Sequence, residues 1–452
     1  MSRLFGTDGV RGVANTELTP ELAFRLGRAA AGVLGEQADA TAPVVVGRDT
    51  RISGTMLEAA TIAGITSAGR DVVSVGILPT SAVAIVTQRT GAAAGCMISA
   101  SHNPIADNGI KFFSADGFKL SDETEQQIEA ALEQDTGKRP TGTGVGVARI
   151  ALNLGAHYYD ALYEHAGDLT GMTVVVDAAF GAAYAIAPYV LRKLGATVHE
   201  LHCDADGARI NVDCGATNLE PLTTRVRELI ERGEEHVLGV AYDGDADRAQ
   251  FVDEAGVALN GDHVLLILAQ ALHRDGELAG DAVVGTVMSN LGLEEALKRN
   301  GVRLIRSPVG DRYVLEAMRA GGYVLGGEQS GHIIDLRRNT TGDGPMTTVT
   351  LLSLLAASNT ALHDAAAQLH AYPQVLVNVR ACKKEALDDP AVARSISEAQ
   401  QHLGESGRIL VRASGTEPLV RIMVEGEDKA EIDRLANALA TEVAAASSRV
   451  AR

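Results

Sequence analysis

The chain has 452 residues, with 40 Lys or Arg against 58 Asp or Glu and a formal net charge of −18. That length predicts about three or four domains. The acidic balance argues against nucleic acid or an anionic membrane as partner, because both would repel it. No apolar run is long enough to cross a bilayer and the first residues lack an apolar signal core, so a cytoplasmic protein is expected. Trp is absent and aromatics make up 4% of the chain, which disfavours stacking platforms for single strands. Cys96, Cys203, Cys214 and Cys382 include no C-x-x-C pair and read as reduced, mostly buried thiols. The 48 glycines form no low-complexity tract, so they belong to turns and close backbone approaches.

In chain order, short β-branched runs alternate with helical spacing. Val44–Gly47 reads as a strand, Ser53 to about Ala68 as a helix, Val72–Val75 as a strand and Ala82–Thr87 as a helix. Cys96–Ile98 reads as a strand ending at a polar loop. Such alternation implies mostly parallel sheets covered on both faces. The Gly/Thr-rich stretch 140–146 marks a joint. A second unit follows, with a helix Leu154–His165 and strands Thr173–Asp177, Val198–Leu201 and Leu238–Tyr242. A third begins near Gly256. Its helices are Asp262–His273, Leu293–Arg299, Arg312–Ala320 and Thr347–Ala357, and its strands Ala282–Val287 and Val302–Ile305. From about Tyr372 the pattern changes. Strands Val375–Val379, Arg408–Arg412 and Leu419–Val424 are flanked by helices Ala391–Leu403 and Lys429–Ala445, as in a small α+β domain.

Four segments carry chemistry. Asp243, Asp245 and Asp247, followed by Arg248, alternate in a loop after a strand. Three carboxylates there converge on one hard cation such as Mg²⁺, Mn²⁺ or Ca²⁺. An EF-hand is excluded, because Arg248 stands where that loop needs Gly and the flanks read as strands. Ser99–Pro104 closes an apolar strand, where open α/β sheets place ligand chemistry. Ser101 and His102 are sequence neighbours whose side chains usually diverge, so a hydrolase dyad is not indicated. A phosphoryl-carrying serine beside a cation fits better. The segment 412–418 joins Arg412, Ser414, Gly415 and Thr416, with Arg421 following, and suits a phosphate dianion. The segment 326–332 places Glu328 and Ser330 on one side of an extended loop, with His332, and suits sugar hydroxyls. Basic loops at Phe5–Gly12, Gly47–Arg51 and Asn108–Lys111 add positive charge at strand ends.

These motifs, in this order and from end to end of the chain, resemble the α-D-phosphohexomutase superfamily, and within it the branch acting on glucosamine phosphates. The resemblance implies three similar α/β domains (1–152, 153–255 and 256–368) and a C-terminal α+β domain (369–452) around a central cleft. It implies a phosphorylated Ser101, and one Mg²⁺ per subunit held by Asp243, Asp245, Asp247 and the phosphate on Ser101. Glu328 and Ser330 would hold sugar hydroxyls, with His332 nearby. Thr7, Arg248, Arg412, Ser414, Gly415, Thr416 and Arg421 would contact the substrate, the last five at the non-reacting phosphate. Lys111 and Arg11, with His332, would serve the reacting groups. Glucosamine 6-phosphate and glucosamine 1-phosphate would interconvert through a 1,6-bisphosphate, itself a possible activator, to supply UDP-N-acetylglucosamine and cell-wall synthesis. Phosphomannomutase or phosphoglucomutase activity is the alternative. The partner would be a small phosphosugar, and the enzyme a monomer or homodimer with a hinge near Leu369–Pro373. Gly6, Gly9, Gly12, Gly244, Gly327, Gly331 and Gly415 are expected where backbone nears phosphate, metal or sugar.

Overall fold

A computed structural model describes residues 4–6, 8–35, 39, 41–134, 139–380, 382, 384–413 and 419–450. Thr7, Ser414, Gly415 and Thr416 lie outside the described residues. The chain forms two compact units, residues 1–286 with 307–367, and residues 287–306 with 368–452.

The larger unit opens with a six-stranded sheet. Its spatial order is Val10–Val13, Asp107–Ser114, Ala94–Ile98, Val44–Arg48, Val72–Ile77, Ala148–Ile150. Val44–Arg48 runs parallel to both its neighbours, whereas Asp107–Ser114 is antiparallel to both of its own. The period of two decides which core each residue joins. Val44, Val46, Cys96 and Ile98 pack with Leu26, Leu57 and Ile65, from helices Pro20–Gly35 and Gly54–Ser67. Val45 and Met97 face the other way, onto Val83 and Tyr158. The segments around Arg11 and Lys111 are therefore paired strands and not loops, with Arg11 opposite Gly109. Residues 108–113 are all buried, and a polar start hides that strand from a pattern reading. The stretch after the Gly/Thr joint supplies the sheet's last strand.

A second sheet runs Ala258–Leu259, Ala249–Val252, Val237–Tyr242, Thr173–Asp177, Thr197–Leu201. Its central strands are parallel, and Ala249–Val252 returns antiparallel to place the aspartate loop at a tight turn. Helix Glu220–Glu231 buries Leu222, Val226 and Leu229 against it. Strand Ala282–Thr286 pairs in parallel with Leu325–Gly327, which forms a hairpin with Ile333–Asp335. Helices Pro20–Gly35, Asp122–Gln134 and Glu220–Glu231 are additional to the expected elements.

The smaller unit carries an antiparallel sheet in the order Gln374–Arg380, Leu419–Gly426, Gly407–Ala413. Val420, Ile422 and Val424 pack against Val392, Leu403, Ile432 and Leu439 of helices Pro390–Leu403 and Lys429–Val450. Helix Leu291–Arg299 joins it, and Glu425 accepts the Leu291 N–H at 2.7 Å.

Candidate active site

The serine loop leaves strand Ala94–Ile98 at its C-terminal end. Ser101 is buried and takes a left-handed backbone, φ +51°, unusual for a residue with a side chain. Its Oγ donates to Asp243 Oδ2 at 2.6 Å and lies 3.2 Å from His102 Nδ1. His102 therefore reaches Ser101, against the expectation that neighbouring side chains diverge. The left-handed turn swings the two together. Burial and the Arg248 guanidinium push His102 down to about 4, so it is neutral at pH 7.

Asp243, Asp245 and Asp247 are buried on the turn after Val237–Tyr242, each with an oxygen within 4.8 Å of the others. Lys111 Nζ donates to Asp245 Oδ2 at 2.8 Å and to Asp8 at 3.3 Å. Thr80 donates to the same Asp245 oxygen. His332 Nδ1 lies 3.5 Å from Asp247 Oδ2. Asp245 Oδ1 and Asp247 Oδ1 are buried without a hydrogen-bond partner. Burial, then Asp247 and Asp245, raises Asp243 well above the carboxylate range. Burial pushes Asp247 up too, but His332, Lys111 and Arg248 hold it well below that range. Burial opposes the Lys111 ammonium, yet Asp245 and Asp8 more than offset this and keep it protonated. The same contest, won by Asp247 and Asp311, raises His332. Two orphaned carboxylate oxygens in an all-oxygen set fit a hard divalent cation. The other metal-capable cluster among the described residues is Asp177, His202 and Cys214. There Asp177 already accepts the Ala179 and Gly215 N–H groups.

Other cations converge from strand Val10–Val13 and from two loops. Arg11 pairs with Asp8 and donates to Asn103 Oδ1 at 3.0 Å. Lys119 bridges Asp8 and Asp311. Arg248 donates its backbone N–H to Asp243 Oδ1 at 3.3 Å, and its buried Nε has no hydrogen-bond partner. Asp8, Thr80, Lys119, His102 and Asp311 are site residues that sequence reasoning missed. Thr80, Lys119 and Asp311 belong to segments with no signal of their own, whereas Asp8 and His102 lie inside singled-out segments but were given no role; only the topology brings them all in.

The Glu328–His332 segment is the tip of the hairpin between Leu325–Gly327 and Ile333–Asp335. Ser330 Oγ donates to Glu328 Oε2 at 3.3 Å, and Gly310 N–H to Glu328 Oε1 at 3.0 Å. The two side chains thus share one side, as expected. Gln329 turns away to donate to Asp262 at 2.9 Å. Two of the glycines, Gly244 and Gly331, are required by close backbone approaches. A Cβ at Gly244 would stand 2.6 Å from the Ser101 carbonyl, and one at Gly331 2.2 Å from the Ala249 carbonyl. They let backbone meet backbone, which brings the loops together.

In the smaller unit Arg412 and Arg421 face each other across paired strands. Burial and Arg421 lower Arg412.

Family models for phosphoglucomutase/phosphomannomutase match in sequence: domain I over residues 2–139, domain II over 156–256, domain III over 260–372 and the C-terminal domain over 376–442. The phosphoglucosamine mutase of Moorella thermoacetica is 52% identical over 439 residues, covering 96% of this chain and 98% of the relative. The chain belongs to the phosphoglucosamine mutase family of phosphohexomutases. The Rhodococcus jostii phosphoglucosamine mutase is 50% identical, covering 98% of this chain and all of its own. A phosphoglucomutase/phosphomannomutase family protein from Burkholderia thailandensis shares the fold at a TM-score of 0.81 and 23% identity, covering 99% of this chain and 98% of that one. The Aspergillus fumigatus N-acetylphosphoglucosamine mutase, solved with GlcNAc-6P and magnesium, shares it at 0.67 and 18% identity, covering 98% and 96%. This phosphohexomutase has no helix among its described residues long and apolar enough to cross a membrane.

Proposed function

We propose that this phosphohexomutase interconverts α-D-glucosamine 6-phosphate and α-D-glucosamine 1-phosphate through a phosphoserine at Ser101 and a glucosamine 1,6-bisphosphate. The observation that carries the reading is Ser101 Oγ at 2.6 Å from Asp243, within a carboxylate cluster flanked by Lys111. That places a buried, strained hydroxyl beside the groups that phosphoryl transfer needs, namely positioned charge and a proton carrier. In the forward direction the sugar O1 attacks the phosphoryl group on Ser101. The O1–P bond forms, the Ser101 Oγ–P bond breaks, and the O1 proton passes by way of a nearby base to the departing Ser101 oxygen. After the bisphosphate turns around, Ser101 Oγ takes the 6-phosphoryl group by the same exchange in reverse.

Asp243, Asp245 and Asp247, with the phosphate on Ser101, would hold Mg²⁺. When bound, the ion neutralises charge on the phosphoryl oxygens. Lys111, kept protonated by Asp245 and Asp8, donates to oxygen and stabilises charge. Arg11, and Arg248, whose Nε makes no hydrogen bond, would hold a phosphoryl oxygen. His332 positions Asp247. Glu328 and Ser330 accept and donate to sugar hydroxyls. Arg412 and Arg421, with Ser414, Gly415, Thr416 and Thr7, are assigned to substrate phosphate. The division 1–152, 153–255, 256–368 and 369–452 gives each domain one such segment. The choice of glucosamine rests on the relatives of about half identity.

The test sets glucosamine, glucose and mannose 6-phosphates side by side, with wild type and Ser101→Ala. Turnover of glucosamine 6-phosphate at least tenfold above the others, lost in Ser101→Ala, is expected. Equal turnover of glucose or mannose 6-phosphate sinks the substrate assignment. An active Ser101→Ala sinks the phosphoserine.

A further inference from the structure

The Gly47–Arg51 segment reads as one more basic loop at a strand end, yet Arg51 is wholly buried and cannot meet a substrate. Its guanidinium is spent on the serine loop. Nη2 donates to the carbonyls of Ser101 and Asn103, both at 2.8 Å. Nη1 donates to those of Pro104 at 2.7 Å and Asp107 at 3.0 Å. Nε donates to Asp49 Oδ2 at 3.0 Å. Every N–H of the group is used, and four of the five acceptors are backbone oxygens of the segment 101–107.

Asp49 completes the hold. It accepts Ser99 Oγ at 2.6 Å, and that hydroxyl oxygen accepts the Ser101 N–H at 2.9 Å. Both polar groups of the Ser101 backbone are therefore tied, directly or through Ser99, to the pair Asp49–Arg51. The Ser101 carbonyl also accepts Asn211 Nδ2 at 2.9 Å, from the segment after strand Thr197–Leu201. Thr50 Oγ1 donates to the Phe180 carbonyl at 2.5 Å, and Arg51 bridges Gly207. The segment thus lies between the serine loop and the sheet that carries the aspartate loop. A left-handed Ser101 persists only where its surroundings over-determine it.

We infer that Arg51 is a positioning residue for phosphoryl transfer, fixing the left-handed Ser101 backbone so that its Oγ meets the aspartate loop. The inference rests on Ser101 as the phosphoryl carrier. Displacement of a reacting group by about 1 Å costs on the order of 100-fold in rate. Lys cannot replace the planar fork, since its three donors cannot span four carbonyls on two sides.

The experiment compares Arg51→Lys with wild type in steady-state and single-turnover assays on glucosamine 6-phosphate, after priming with hexose 1,6-bisphosphate. A fall of kcat by about 30- to 100-fold with KM within threefold is expected, with single-turnover transfer slowed by the same factor. Leu162→Ala, a core change, is the control for lost stability and keeps its kcat. In Arg51→Ala, added guanidinium ion should restore kcat about tenfold. A kcat of Arg51→Lys within threefold of wild type overturns the proposal. Should Arg51 variants not fold, Asn211→Leu replaces them. It is expected to lower kcat about 5- to 20-fold at unchanged KM, and an unchanged kcat overturns the proposal. Ser101→Ala, run alongside, separates the two readings. If it stays active the phosphoserine reading fails, whatever Arg51→Lys does.

Discussion

Asp243→Asn separates the stability of the metal-free protein from its function. The three carboxylates lie within 4.8 Å of one another. At an effective dielectric constant near 20, two unit charges at that distance repel by about 3.5 kcal/mol. Asp243 faces two such neighbours, and its own hydrogen bonds come from Ser101 Oγ and the Arg248 N–H. Lys111 and His332 are taken by Asp245 and Asp247. Burial and the two neighbours accordingly raise Asp243. A carboxyl raised above its unfolded value contributes stability below about pH 3.9 that is lost as pH rises through its folded value. Metal-free wild type should therefore lose stability towards alkaline pH, and the neutral amide should not. At pH 8 with EDTA, Asp243→Asn should exceed wild type by about 2–4 kcal/mol, or several degrees in Tm. The gap should narrow at pH 5. Adding Mg²⁺ should raise the wild-type Tm and leave the variant unmoved, while turnover of the variant falls by about 1,000-fold or more. Thermal unfolding at three pH values, with and without metal, reads all of this. A variant no more stable than metal-free wild type at pH 8, with an undiminished Mg²⁺ shift, refutes the reasoning.

Lys111→Met leaves Asp245 and Asp8 without their shared cation, and should cut kcat by about 10²- to 10⁴-fold in a coupled mutase assay. Because Lys111 stays protonated, the wild-type pH–rate profile should show no limb from its deprotonation in the neutral range. Arg421→Ala should raise KM by about 10- to 100-fold with a smaller effect on kcat, since a hydrogen bond to a charged group contributes about 1.5–3 kcal/mol. Tyr158→Phe removes a buried donor to Asp343 at 2.6 Å, on the residue that caps helix Gly344–Ser358. It should lower Tm by a few degrees at unchanged kcat, readable by calorimetry.

The parts of the fold that were legible are those where burial imposes a period. Val44–Val46 and Thr173–Val176 are buried on both faces and read as apolar runs. Asp107–Ser114 was not legible. Its opening Asp-Asn-Gly looks like a turn, yet Asn108 is satisfied inside by Ser53 and by its own neighbour's N–H. The aspartate triplet was legible because three carboxylates two residues apart have few structural uses. Asp8, Lys119 and Asp311 were not, since each is an ordinary charged residue until the strands and the Asp311–Gly321 helix bring them to one place. Arg51 is visible in the sequence only as one charge of a basic loop. Sequence shows a cation beside a strand end and cannot show that its five donors are turned inward.

An acidic chain can handle an anionic sugar because its charges are balanced locally. Arg11, Lys111, Lys119 and His332 each stand against a carboxylate, so the bare site has little cationic excess to offer. A phosphoryl group on Ser101 would bring about two negative charges next to Asp243. A divalent cation in the triplet would bring two positive ones. Either alone shifts the site away from balance, whereas together they nearly cancel. By linkage, a phosphorylated Ser101 must strengthen the metal's hold as much as the metal stabilises the phosphoserine. In the proposed reaction the three aspartates would thus have a function that their repulsion in the metal-free protein conceals. They would make the transferable phosphoryl group depend on a cation, so that the site would be fully assembled only when charged for transfer.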